Sequence, residues 1–96
     1  METEYEATVA LMAVDHRVNE CRLKIRFASR VFGDECEKIA AKKWSSKREM
    51  NLEIARRRGV MDKKIAALEQ EIEEIRPERE AALEVVKETL EQEKKS

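Results

Sequence analysis

Two apolar seams at helical spacing constrain this chain more than anything else in it. Met61, Ile65, Leu68, Ile72 and Ile75 recur at alternating four- and three-residue steps, with charged or small residues between them. Ala7, Leu11, Val14, Val18, Cys21, Ile25, Ala28 and Phe32 repeat the same steps earlier in the chain. That period places each set on one stripe of an α-helix, and a stripe this narrow is made to face another helix. Strands need alternation at period two, which neither seam shows. The expected fold is therefore all-α: two long amphipathic helices forming a helical hairpin or coiled coil, with a short helix between them and a Pro-kinked helix at the C-terminus.

Composition agrees. Charged residues make up 43% of the 96 residues, yet the net charge is −1. Mixed charge with clear periodicity suits exposed helices carrying ion pairs rather than a disordered chain. Two Gly and one Pro are too few for a loop-rich fold. A core this small is thin, and association between copies is a common remedy. The longest uncharged run, Ala7 to Val14, falls far short of the roughly 20 residues a membrane span needs. The N-terminus, M-E-T-E-Y-E, is acidic where a secretory leader is basic. Cys21 and Cys36 lie in neither a metal-like nor a redox-like spacing. These features together predict a cytoplasmic protein with no membrane contact and reduced thiols.

Taken in order, the chain predicts a helix over about 3–32. Glu2, Glu4 and Glu6 sit at its start and Arg26 and Arg30 near its end, as the helix dipole favours. Gly33 is read as its stop. Asp34 and Glu37 have capping-box spacing and start a helix over about 34–44, with Ile39, Ala40 and Trp44 on its apolar face. Ser46 and Glu49 repeat that spacing. They either open a new helix over about 46–76 or lie within one continuous with the preceding helix. Gly59 is a weak point inside it, and Pro77 kinks or breaks it. A last helix over about 78–93 carries Leu83, Val86 and Leu90, slightly out of phase with the earlier seam, and Glu93 to Ser96 fray.

The seams suggest pairing. In a parallel homodimer through Met61, Ile65, Leu68, Ile72 and Ile75, the flanking charges fall as Arg57 to Asp62, Lys64 to Glu69 and Glu71 to Arg76, all attractive. The first-helix seam of Leu11, Val14, Val18, Cys21, Ile25 and Phe32 resists the same arrangement, because Arg17 would meet Arg22. An antiparallel fold-back of the first helix onto 47–76 is compatible with that dimer. The expected architecture is a homodimer of helical hairpins.

Candidate chemistry is sparse. Between Arg17 and Arg58 there are 13 Lys/Arg against 6 Asp/Glu, a net +7, whereas from Met61 onward 7 bases face 11 acids, a net −4. Lys42, Lys43, Lys47, Arg48, Arg56, Arg57 and Arg58 are the candidate phosphate contacts of a nucleic-acid-binding protein. Ile39 to Val60 resembles a helix-turn-helix reader in outline, with Ala40 as the small residue of the first helix and Met50 in the core of the second. It departs from that pattern at Trp44, where a tight-turn glycine belongs, at Ser45, and at Glu53, a core position; the resemblance is not adopted. His16 stands alone off the seam. Cys21 reads as a small core hydrophobe, and Cys36 lacks a His or Lys partner to activate it. Glu69, Glu71, Glu73 and Glu74 lack the Glu-x-x-His pairing of carboxylate metal bundles. No catalytic set and no cofactor motif is present. The function expected from these residues is that of a non-enzymatic helical interaction protein, an adaptor, assembly chaperone or inhibitor that binds another protein. The alternative is a nucleic-acid-binding accessory protein using segment 17–58.

Overall fold

The computed structural model describes residues 3–95 and consists of two helices, α1 (Glu4–Ala41) and α2 (Lys47–Lys95). Glu2 and Ser96, counted above at the start of the first helix and at the fraying end, lie outside the described residues. The protein is all-α and a helical hairpin, with no strand among the described residues. Its contacts divide into two units. One joins Met1–Cys21 with Gln70–Ser96 and the other is Arg22–Glu69.

α1 starts where Thr3 caps it. The Glu6 N–H donates to Thr3 Oγ1 at 3.1 Å, so one of the four donors left open by a helix start is satisfied. Glu4 and Glu6 in the first turn and Lys38 in the last complement the dipole. The helix does not stop at Gly33, and Asp34 does not begin another. Both expectations are corrected by a single helix that runs on to Ala41. No glycine adopts a positive φ among the described residues, so Gly33 is an ordinary helical residue and no left-handed cap. The physical reason lies in the seam. Continuing from Phe32 in the same steps leads to Glu35 and Ile39, and Ile39 is buried. The apolar area of that isoleucine, about 1.5–3 kcal/mol when fully buried, outweighs the roughly 1 kcal/mol that glycine costs a helix interior.

Residues 42–46 connect the helices. The Trp44 indole N–H donates to the Ile39 carbonyl at 2.5 Å, and the Lys42 N–H reaches the same oxygen at 3.2 Å. Trp44 thus folds back over the end of α1 rather than lying on a helix face. Ser46 then caps α2, its Oγ accepting from the Glu49 N–H at 3.2 Å. Of the two readings left open at Ser46, the new helix at Lys47 is the observed one. The Glu49 carboxylate pairs with the Ser45 hydroxyl, one residue before the partner a full capping box uses. The helix-turn-helix outline over Ile39–Val60 is replaced by the end of α1, this connection and the start of α2.

α2 is continuous through Gly59 and through Pro77, so the separate helix over 78–93 is also corrected. Pro77 removes one hydrogen bond, that to the Glu73 carbonyl, but both residues are exposed and water can solvate the freed oxygen. The seam also keeps its phase. Ile54, Met61, Leu68, Ile75, Ala82 and Thr89 follow at seven-residue intervals, and Thr89 is 8% exposed while Leu90 is 40% exposed. In the last turns Ala82, Leu83, Val85 and Val86 are half-buried, so of the expected Leu83, Val86 and Leu90 only Leu90 is replaced, by the buried Thr89. Thr89 is tolerated there because its hydroxyl donates to the Val86 carbonyl at 2.9 Å.

In the first unit the helices run antiparallel. Val18, Cys21 and Ile75 form a buried cluster, with Val14 and Ile72 packed against it. Arg17 meets Glu78 at 2.5 Å and Arg79 meets Asp15 at 2.6 Å, two exposed ion pairs between the helices of this unit. The second unit is also antiparallel, with Glu35 opposite Arg57 at 3.9 Å.

Candidate interaction surface

The second unit, Arg22–Glu69, holds an open groove of about 440 Å³ between its two helix segments. α1 contributes Lys24, Phe27, Ala28, Val31, Phe32 and Glu35. α2 contributes Arg57, Val60, Met61, Lys64, Ala67 and Leu68. The placement follows from the seam. Lys24, Phe27 and Val31 each immediately precede a seam residue of α1, and Val60, Lys64 and Ala67 each immediately precede one of α2. A residue one step before the seam stands beside the interhelical contact, so these six form the two walls of a furrow. The floor is made by Ala28, Phe32, Met61 and Leu68. Ala28 and Ala67 are too small to fill the space that the longer side chains hold open.

The walls carry large apolar side chains that are exposed. Phe27 is 67% exposed and Val60 53% exposed. Leu23, at 61%, lies beside Phe27 on a shallower continuation bordered by Arg26 and Arg30. Large apolar side chains exposed together mark interaction surfaces more often than they occur by chance. The rim is cationic, with Lys24 and Lys64 on opposite walls and Arg57 at one end beside Glu35.

The predicted site residues fall in three places. Ile75 is 2% exposed and Ile72 is packed against the Val18 and Cys21 cluster, so that end of the seam is occupied by the same chain's α1. Met61, Ile65 and Leu68 are half-buried in the second unit, and Met61 and Leu68 face the groove. Of the first-helix seam, Val18 and Cys21 are buried, while Leu11, Val14, Ile25 and Phe32 are half-buried. Two of the six charges placed for parallel pairing are engaged within their own chain, Arg57 with Glu53 at 3.2 Å and Arg76 with Glu73 at 3.1 Å.

The basic candidates are all exposed. Two of them are committed locally. Arg56 grips Glu53 with Nε at 3.1 Å and Nη2 at 2.8 Å, and Arg57 donates to the same carboxylate. The Arg56 hydrogen bond, helped by Arg57, holds the Glu53 carboxyl below its ordinary value, and the same contact raises Arg56. Lys42, Lys43, Lys47, Arg48 and Arg58 extend from the connection and the start of α2. His16 is exposed beside Glu20 at 3.1 Å, and Cys36 is half-buried.

Phe27, Val31, Val60 and Ala67 are the surface residues that reading the seam alone overlooks. Their signal is present in the sequence: an apolar residue directly before a seam residue widens the stripe on one side. No family model matches this chain, and no curated protein and no solved structure is similar to it.

The charge on the two units differs in sign. The unit Arg22–Glu69 carries 14 Lys/Arg and 7 Asp/Glu, a net +7, and the remaining residues carry 6 and 14, a net −8. Among the described residues, no helix is long and apolar enough to cross a membrane.

Proposed function

We propose that this chain is a non-enzymatic helical interaction protein, an adaptor, assembly chaperone or inhibitor acting in the cytoplasm, which holds another protein in the groove of its basic unit. The observation that carries the reading is the groove itself, with Phe27 and Val60 more than half exposed over a floor of Phe32, Met61 and Leu68. Helix-in-groove recognition uses an apolar furrow of this kind, with rim charges selecting the partner. Phe27 lies outside the buried clusters, so Phe27→Glu leaves helicity and melting temperature close to wild type. Affinity capture from a native extract by wild type and by Phe27→Glu tests the proposal. A protein retained by wild type and lost from the variant supports it, and identical capture by both overturns it.

The excess of cations in the same unit favours a second reading, a nucleic-acid-binding accessory protein using Lys42, Lys43, Lys47, Arg48 and Arg58. Such binding is dominated by phosphate neutralisation and falls steeply with salt. Retention on immobilised duplex or single-stranded DNA at low salt, lost on reversing Lys42 and Lys43 to Glu, supports this alternative. Passage through such a column at low salt removes it.

A further inference from the structure

An occupant of the groove needs apolar side chains at helical spacing and acidic residues around them. The acidic unit of the chain carries such a surface. Tyr5, Val9 and Met12 are 78%, 46% and 64% exposed. They stand at i, i+4 and i+7 on α1, the spacing by which one helix lays anchors into the groove of others. The inward seam at the same level is Ala7, Leu11 and Val14, so this stripe is a second apolar face that the hairpin does not use. Glu6, three residues before Val9, borders it and is exposed.

We propose, building on the interaction reading above, that the groove of the basic unit is filled by the Tyr5–Val9–Met12 stripe of a second copy of this chain. Two observations favour a second copy. The first is charge. The unit that holds the groove is +7 and the unit that holds the stripe is −8, so contact between unlike units of two copies neutralises both. Electrostatic complementarity of this kind steers association and rejects the like-with-like alternative. The second is area. The chain exposes 7811 Å², against about 5,700 Å² for a globular monomer of 11.2 kDa. The surplus exceeds the roughly 800 Å² per partner that a standard interface buries. The contact joins unlike surfaces, stripe to groove, and each copy offers one of each.

The test uses full-length chains in sedimentation at about 100 µM, within the range where weak to moderate interfaces assemble. Wild type is expected to associate at low ionic strength and to weaken about tenfold or more as screening shortens the Debye length from roughly 14 Å to a few ångströms. Met12→Glu spoils the stripe and Phe27→Glu spoils the groove. Each variant alone is expected to be monomeric, with wild-type helicity by circular dichroism because both side chains are exposed. Mixed in equal amounts they form a one-to-one pair, because one intact stripe and one intact groove remain. A wild type that is monomeric at low salt overturns the proposal. So do single variants that associate like wild type, or a mixture that stays monomeric. If the proposal fails in any of these ways while Phe27→Glu still loses a captured protein, the groove is an interaction site with a foreign occupant. If that capture is also unchanged, the interaction reading fails with it.

Discussion

The two units are built on the same repeat yet differ in how they close. In the acidic unit the seam positions carry Val18, Cys21 and Ile75, which bury one another. The flanking position before Val18 carries Arg17, which bridges to Glu78 of α2 at 2.5 Å. In the basic unit the corresponding positions carry Phe27, Val31, Val60 and Ala67 and enclose a groove. Its α2 seam is polar at Lys47, Asn51 and Arg58, and its main ion pairs, Arg56 and Arg57 to Glu53, stay within one helix. Both helix-interior glycines, Gly33 and Gly59, also lie in this unit. Periodicity alone brings two helices together. The flanking residue decides whether the joint is sealed by charge or left open and apolar.

The largest expected effect tests the core side of this contrast. Ile75→Ala should destabilise the protein by about 2–5 kcal/mol, the range for a buried large-to-small change, measured by urea unfolding. Leu68 is half-buried and faces the groove, so Leu68→Ala should cost clearly less than Ile75→Ala. Equal losses would show that the basic unit is as tightly closed as the acidic one.

The glycines come next. A Cβ built at Gly33 or Gly59 meets nothing within 4 Å, and neither residue has positive φ. Gly33→Ala and Gly59→Ala should each stabilise by about 0.5–1 kcal/mol through helix propensity alone, read as a rise in urea midpoint. A loss of stability at either position would mean that close backbone approach, and not surplus flexibility, explains that glycine.

The smallest expected effect lies in the acidic unit. Glu93 titrates above its ordinary value near 4.5, chiefly because Glu4 shares a hydrogen bond with it, then through desolvation and repulsion from the same carboxylate. A carboxyl whose folded pKa is raised binds its proton more tightly in the native state. Stability therefore falls as pH rises from 4.5 through the folded pKa, and the deficit persists at neutral pH. Glu93→Gln should raise the melting temperature slightly at pH 7 and flatten the acid-side dependence of thermal melts followed by circular dichroism. Glu53 works in the opposite sense. Its lowered pKa, set first by the Arg56 hydrogen bond, contributes stability above pH 4.5 that is lost as pH falls through its folded value. An unchanged melting profile for Glu93→Gln would remove Glu4 as a partner at the hairpin's open end.

Much of the fold was legible in advance. The spacing of Ala7 to Phe32 and of Met61 to Ile75 marks both inward stripes, whereas Ser46 is compatible with a new helix or a continuous one, and only the structure selects the new helix at Lys47. Two departures share a cause. Gly33 and Pro77 read as local breakers, and each is overridden by a seam that keeps its phase on the far side, to Ile39 in one case and to Ala82, Val86 and Thr89 in the other. A breaker that costs about 1–3 kcal/mol ends a helix only where no burial follows it. Trp44 was misplaced because an aromatic residue near the end of an apolar pattern looks like core, whereas its indole N–H is used to cap the Ile39 carbonyl.

The sequence by itself determined the class of fold, the inward faces of both helices and the segregation of charge along the chain, because these depend on period and residue type. The tertiary structure decided which seam meets which. The arrangement is an intrachain antiparallel pairing in which Val18 and Cys21 cover Ile75. It also decided what the neighbours of the seam become, since only the approach of the second helix turns Arg17 and Glu78 into a bridge and Phe27 and Val60 into the walls of a groove. A one-dimensional repeat specifies a stripe. The side chains that the opposing helix brings alongside it determine whether that stripe ends in a core or in a surface.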